Sequence, residues 1–162
     1  RYGLKGDVSD AMVFESAHAV FKNPNYLDAP APKSLDVSDL QLLPETLQLS
    51  VEDACALYES ITAYTIARSL CDIKGQSLNV VLAGGGSKNP MIVKQLSHYL
   101  KHFELSASVF IADEIPGWEN DALEAGLFAY LAARRVLSLP TSYPAMTGVP
   151  EPVVSGVTAF AE

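Results

Sequence analysis

Three glycines stand in a row, Gly84-Gly85-Gly86, directly after the apolar run Leu78, Val80, Val81 and Leu82. Glycine carries no Cβ, so a backbone built from it can turn sharply and let a ligand come close. Asn89 and Pro90 follow as an N-cap and first-turn pair that opens a helix. The N–H groups and dipole at such a helix start suit phosphate. In open α/β sheets ligands bind at the carboxyl ends of strands, where the triplet stands. The spelling is not that of a P-loop, because no Gly-Lys-Ser or Gly-Lys-Thr follows. It is not the dinucleotide fingerprint, because Asn89 holds the place of the third glycine. Two readings stand side by side: nucleotide or phosphate contact at Gly84, Gly85, Gly86 and Asn89, or a ligand-free strand-to-helix turn. One glycine suffices for a plain turn and each further one costs conformational entropy, so the triplet favours the ligand.

A second concentration of chemistry is acidic: Asp113, Glu114, Glu119, Asp121 and Glu124. Asp121 and Glu124 are three apart, so both can face one helix mouth. Asp121 as N-cap with Glu124 at N3 would be an ordinary capping pair. Hydrogen bonding to a polar substrate such as a sugar is the other reading, and the residues alone favour capping. His98 and His102 share a helix face, but no glutamate follows His98 and no third ligand is evident, so they read as solvated. His18 is assigned no role. Trp118 sits beside Gly117 in an expected loop, as an anchor of that loop rather than a lid.

The elements that must position these residues are legible from periodicity. Val13, Ala17 and Val20 or Phe21 predict a short helix over 9–21. Residues 23–49, with Pro24, Pro30, Pro32 and Pro44, predict a long irregular connection. Ser50 as N-cap, Asp53 three residues on, and the stripe Val51, Ala54, Leu57, Tyr58, Ile61, Tyr64 and Leu70 predict a helix over 51–73, stopped at Gly75. A strand over 77–83, buried on both faces, leads into the triplet. A helix runs from Pro90 to about Lys101, a second strand covers 107–111, and a last helix covers 121–137. Strand, turn, helix, strand, helix is a βαβα unit with a parallel sheet, hence an α/β fold. Ala125, Gly126, Ala129, Ala132 and Ala133 would let the last helix approach another element or a ligand closely.

Composition bounds the function. The chain has 162 residues, 49% apolar and 19% charged, as a globular domain has. Its 11 basic and 19 acidic side chains give −8, against a nucleic-acid polymer or an anionic membrane surface as partner. No apolar run is long enough for a membrane span, and no apolar stretch follows the basic start, so no signal peptide is expected. Cys55 and Cys71 lie roughly 24 Å apart if one helix carries both, too far for a disulfide. Reduced thiols in a cytoplasmic protein are the expectation. The chain starts at Arg1 rather than Met, which fits an excised piece.

Four segments in order resemble the anhydro-N-acetylmuramic acid kinases, a family of the actin/sugar-kinase/Hsp70 ATPase superfamily. Pro30-Ala31-Pro32-Lys33-Ser34 is similar to the family's Pro-Pro-Lys-Ser stretch. Ala83 through Pro90 is similar to its Cys-Gly-Gly-Gly-x-x-Asn-x loop. Asp121 through Ala132 is similar to its Asp-x-x-Glu-Ala-x-x-Phe-Ala-x-Leu-Ala helix. Pro144-Ala145-Met146-Thr147-Gly148 is similar to its Pro-x-x-Thr-Gly segment. The resemblance implies one ribonuclease-H-like lobe of a two-lobed sugar kinase, the carboxyl-terminal one, with residues 1–162 forming that single lobe. It implies ATP with Mg²⁺, the triplet facing the ribose and phosphates, and Glu124 with Asp121 toward the sugar. It implies phosphorylation of the sugar 6-oxygen with hydrolytic opening of the 1,6-anhydro ring, in amino-sugar and cell-wall recycling. Expected partners are the amino-terminal lobe of the same kinase, a sugar and, as an open alternative, a second copy. That lobe would hold the phosphate loop and the catalytic aspartate, so no catalytic residue is assigned in this chain and the isolated lobe is expected to be inactive. After Ser34 the family continues Thr-Gly-Arg-Glu where this chain has Leu35-Asp36-Val37-Ser38. That departure motivates the alternative of a non-catalytic module of the same fold that binds a nucleotide or a partner protein.

Overall fold

The computed structural model describes residues 2–73 and 75–159. They divide into two compact units. The described residues of Arg1–Asp28 and Leu35–Asp121 form the first, and those of Ala29–Ser34 and Ala122–Glu162 the second.

The first unit is built on three helices and a small sheet. Helix α1, Asp10–Ala19, starts where the Ser9 side chain accepts from the Met12 N–H, and it buries Val13, Ser16 and Ala17. Helix α2, Val51–Ser69, starts at Ser50, whose Oγ accepts from the Asp53 N–H at 3.0 Å. Asp53 does more than the sequence suggested: its carboxylate also accepts from the Asp7 N–H at 2.8 Å, fastening the N-terminal segment to this helix start. Of the expected stripe, Leu57 and Ile61 are buried, joined by Ala56, Ser60, Ala63 and Ala67. Val51, in the first turn, is 63% exposed. A 3-10 turn over Leu70–Ile73 follows, and Gly75 stops the run at φ +96°.

Strands β1, Leu78–Leu82, and β2, Ala107–Ile111, pair in parallel with Leu78 opposite Ala107 and Leu82 opposite Ile111. Helix α3, Pro90–His102, makes the crossover between them and packs chiefly on α2. Val80, Leu82, Ala107 and Val109 lie against the core formed with Leu57, Leu96, Tyr99 and Leu100. Period-two alternation turns Asn79, Ser108 and Phe110 to the other face, where all three are exposed. The expectation of a strand covered on both faces is therefore corrected: among the described residues of this unit, helices cover one face only.

The connection over 23–49 is irregular, as its prolines require, with short 3-10 turns at Val37–Asp39 and Pro44–Gln48. It is nonetheless tied down. Leu27 and Leu43 are buried in the core, and the Leu43 N–H donates to the Tyr58 hydroxyl at 3.0 Å. The Leu35–Ser38 stretch forms its own cap, with the Asp36 carboxylate accepting from the Ser38 N–H at 3.0 Å.

The second unit contains helix α4, Leu123–Val136, and the one-turn helix α5, Pro144–Thr147, closed by Gly148 at φ +73°. Arg134 staples it, donating to the Pro140 carbonyl at 2.6 Å, the Tyr130 hydroxyl at 2.9 Å and the Tyr143 hydroxyl at 2.7 Å. An added Cβ at Gly148 would meet Pro32 at 3.2 Å. Two of the sequence segments singled out above, 30–34 and 144–148, therefore adjoin. No described helix is long and apolar enough to cross a membrane.

Candidate functional site

The glycine triplet sits at the carboxyl end of β1, as expected, and opens a tight turn into α3. Gly84 has φ +77° and ψ −172°, and Gly85–Lys88 form a 3-10 turn. Only glycine holds the Gly84 conformation without strain. Gly85 and Gly86 are different: neither is among the positive-φ glycines. A Cβ added at either would meet no described atom within 4 Å. Neither backbone geometry nor packing among the described residues calls for glycine there.

Asn89 caps α3: its Oδ1 accepts from the Met91 N–H at 3.0 Å while its Nδ2 donates to Glu59 Oε1 at 2.7 Å. Pro90 takes the first turn, where a missing N–H costs nothing. The other Glu59 oxygen is buried and has no hydrogen-bond partner among the described residues. It occupies the space a Cβ on Gly3 would fill, 1.7 Å from that position. Asn89 thus braces the helix start from within, one amide hydrogen of Nδ2 remaining beyond these bonds.

The acidic cluster is arranged otherwise than a capping pair. The position before α4 is Ala122, with no side-chain cap, so Asp121 is not the N-cap. Its carboxylate instead accepts from Lys88 Nζ at 2.6 and 2.9 Å. A lysine on the glycine turn offers that carboxylate a stronger partner than a helix N–H. Hydrogen bonding to Asp121 pushes the Lys88 ammonium pKa up. Glu124 lies in the first turn of α4 and is exposed. The Ile111 N–H donates to the Glu114 carboxylate at 2.7 Å.

Asn120 was not singled out from the sequence, yet it is 3% exposed and grips the turn. Its Oδ1 accepts from the Gly84 N–H at 2.7 Å, and its Nδ2 donates to Ser87 Oγ at 3.0 Å. Asp113 in turn accepts from the Asn120 N–H at 2.7 Å. A signal did exist: loops leaving the carboxyl ends of adjacent parallel strands must adjoin, which brings 113–121 to 84–88.

Other expectations resolve simply. His98 and His102 are exposed: His98 Nε2 lies 3.0 Å from Asp10, and the His102 ring packs on Phe14. Cys55 and Cys71 are free thiols. Trp118 is 46% exposed. Gly126 meets no described atom where its Cβ would be, and no α4 residue is buried. In the second unit a cavity of about 440 Å³ is lined by Phe128, Leu131, Arg135, Thr141, Ser155 and Val157, among others. Among the described residues no group of three or more metal-ligating side chains forms.

The chain matches the family model "Anhydro-N-acetylmuramic acid kinase" over residues 5–161. It is 42% identical over 158 residues to the anhydro-N-acetylmuramic acid kinase of Phenylobacterium zucineum, covering 96% of this chain and 39% of that protein. It is 37% identical over 156 residues to the namesake from Caulobacter vibrioides, with the same coverage of 96% and 39%. With the Rhizorhabdus wittichii protein it shares 36% over 136 residues, 83% of this chain and 35% of that one. The chain thus spans about 39% of the length of the first two relatives. The parallel pair β1–β2 with its crossover helix, and the match along nearly the whole length, agree: this chain belongs to the anhydro-N-acetylmuramic acid kinase family, of the actin-like ATPase fold.

Proposed function

We propose that the chain is the carboxyl-terminal lobe of an ATP-dependent sugar kinase that acts on 1,6-anhydro-N-acetylmuramic acid. The observation that carries the nucleotide reading is the pair Gly85 and Gly86, whose missing side chains serve neither the fold nor a positive φ. Side chains there would project into the space that a ribose or phosphate would take. The N–H groups of Gly85 and Gly86 have no backbone acceptor among the described residues, and they lead into the N-terminus of α3. Together these groups suit a phosphate chain or ribose.

On this reading the chain's own residues bind and orient rather than react. Gly84, Gly85 and Gly86 present backbone to the nucleotide, and Asn89 holds the helix start in place. Lys88 supplies a positive charge beside them, currently shared with Asp121. Glu124 and Asp121 serve the sugar as hydrogen-bond acceptors. Phosphoryl transfer depends on such positioning and charge neutralisation. Among the described residues no group of three or more metal-ligating side chains forms, so on this reading Mg²⁺ would come with the nucleotide phosphates. The group that activates the attacking water belongs to the amino-terminal lobe, the expected partner of this one. A second copy of the chain remains the other partner reading, which light scattering decides.

The test is ATP-dependent phosphorylation by the full-length kinase, with a panel of anhydro and amino sugars. Turnover of 1,6-anhydro-N-acetylmuramic acid to a 6-phosphate with an opened ring is the expected result. Nucleotide binding without turnover of any sugar would favour the non-catalytic module instead.

A further inference from the structure

We propose that Asn120 is a positioning residue that sets the shape of the Gly84–Lys88 turn for its ligand. The proposal rests on the reading of that turn as the nucleotide-side loop. A carboxamide buried to 3% exposure must have its donors and acceptor satisfied, and here they are satisfied by the turn. The Gly84 N–H, at 2.7 Å, forces Oδ1 to face it, because an N–H can only donate. Nδ2 then faces Ser87 Oγ at 3.0 Å, and the Ser87 hydroxyl in turn donates a hydrogen bond to the Gly84 carbonyl at 2.7 Å. Both polar groups of Gly84 are thereby held on the Asn120 side, directly and through Ser87. The next N–H groups, Gly85 and Gly86, are left without backbone acceptors among the described residues.

No other side chain fits this role. Aspartate keeps the acceptor and loses the donor, leucine has the shape and neither group, and glutamine is one methylene too long. Asn120 is itself anchored, its N–H donating to Asp113 at 2.7 Å. Its neighbour Asp121 holds Lys88, so two consecutive residues take the two ends of the turn. Gly84, at φ +77°, is held on both sides by these bonds, its N–H by Asn120 and its carbonyl by Ser87, and a Cβ there would touch nothing described.

The experiment reads the turn and the ligand separately. Amide hydrogen exchange on the full-length kinase is followed at Gly84–Asn89 and, as a control, along α2, in wild type, Asn120→Ala and Asn120→Asp. ATP affinity and KM for the sugar are measured on the same proteins. Asn120→Ala should speed exchange at Gly84 about tenfold or more and weaken ATP by about the same factor. The α2 amides and the sugar KM should hold. Asn120→Asp should keep the Gly84 amide protected and lose the Ser87 side of the turn. It should recover ATP affinity as acid protonates the new carboxyl and restores a donor, so it decides the matter if the alanine variant does not fold. Unchanged exchange at Gly84 in Asn120→Ala, or faster exchange with unchanged ATP affinity, overturns the proposal. A wild-type protein that binds no ATP overturns the nucleotide reading instead, and the exchange result still decides whether Asn120 holds the turn.

Discussion

Gly84 and Gly85 are adjacent and chemically identical, yet they are glycine for different reasons. Gly84 is bent to φ +77° and ψ −172°, so Gly84→Ala should cost about 1–3 kcal/mol of stability. Gly85 has an ordinary backbone and open space at its Cβ, so Gly85→Ala should leave stability within about 0.5 kcal/mol. Urea denaturation of the two variants separates the conformational need from the spatial one. Glu124 is exposed in the first turn of α4 with no capping role taken by its neighbour Asp121. Glu124→Gln in the full-length kinase should therefore lower sugar turnover at least about tenfold, a difference of about 1.4 kcal/mol, with ATP affinity unchanged. Equal losses of stability and of both ligands would return it to a structural role. Residue types were a good guide to the turn that the triplet makes and to Asn89 as the cap of α3. They were a poor guide to Asp121, because capping is judged from local spacing while its partner Lys88 lies 33 residues away.

At the scale of elements, caps decide where the helices begin. Asn89 both caps α3 and satisfies one oxygen of Glu59, so Asn89→Ala removes a cap and leaves a buried carboxylate unpartnered. A loss of about 1–2 kcal/mol is expected from the cap alone, more with the orphaned glutamate, and thermal denaturation reads it. At α2 the cap is Ser50, and Asp53 three residues on accepts from the Asp7 N–H and the Ser50 hydroxyl. The Asp7 N–H, and then Ser50, hold its carboxyl below the ordinary 3.8. A depressed carboxyl contributes stability above the unfolded value and loses it as pH falls through 3.8 toward the lower folded value. Wild type should therefore lose more stability between about pH 5 and pH 2 than Asp53→Asn does, by urea midpoint. Periodicity located α2, α3 and both strands closely because their patterns are local. It misjudged the burial of β1, which depends on what covers the second face of the sheet. It also placed the start of α4 two residues early, because Asp121 was counted as its cap.

For the whole molecule, the −8 charge and the proposed nucleotide role of the glycine turn are compatible, because such a turn would bind through oriented backbone rather than through net charge. The resemblance carried by four short segments was legible in the sequence, and two of them, at Pro32 and Gly148, meet in the second unit. What one sequence could not supply is long-range pairing: Gly84 with Asn120, Asn89 with Glu59, Asp7 with Asp53. Each joins residues 30 or more apart, and no local pattern encodes such a pair. The family match spans about 39% of each of the first two relatives, so the central claim concerns what this portion contributes: a backbone cradle for ATP. ATP affinity of Gly85→Val in the full-length kinase, by calorimetry, tests that claim most directly. The account predicts a loss of about tenfold or more, about 1.4 kcal/mol, with the melting temperature preserved, and unchanged affinity in a folded variant would contradict it.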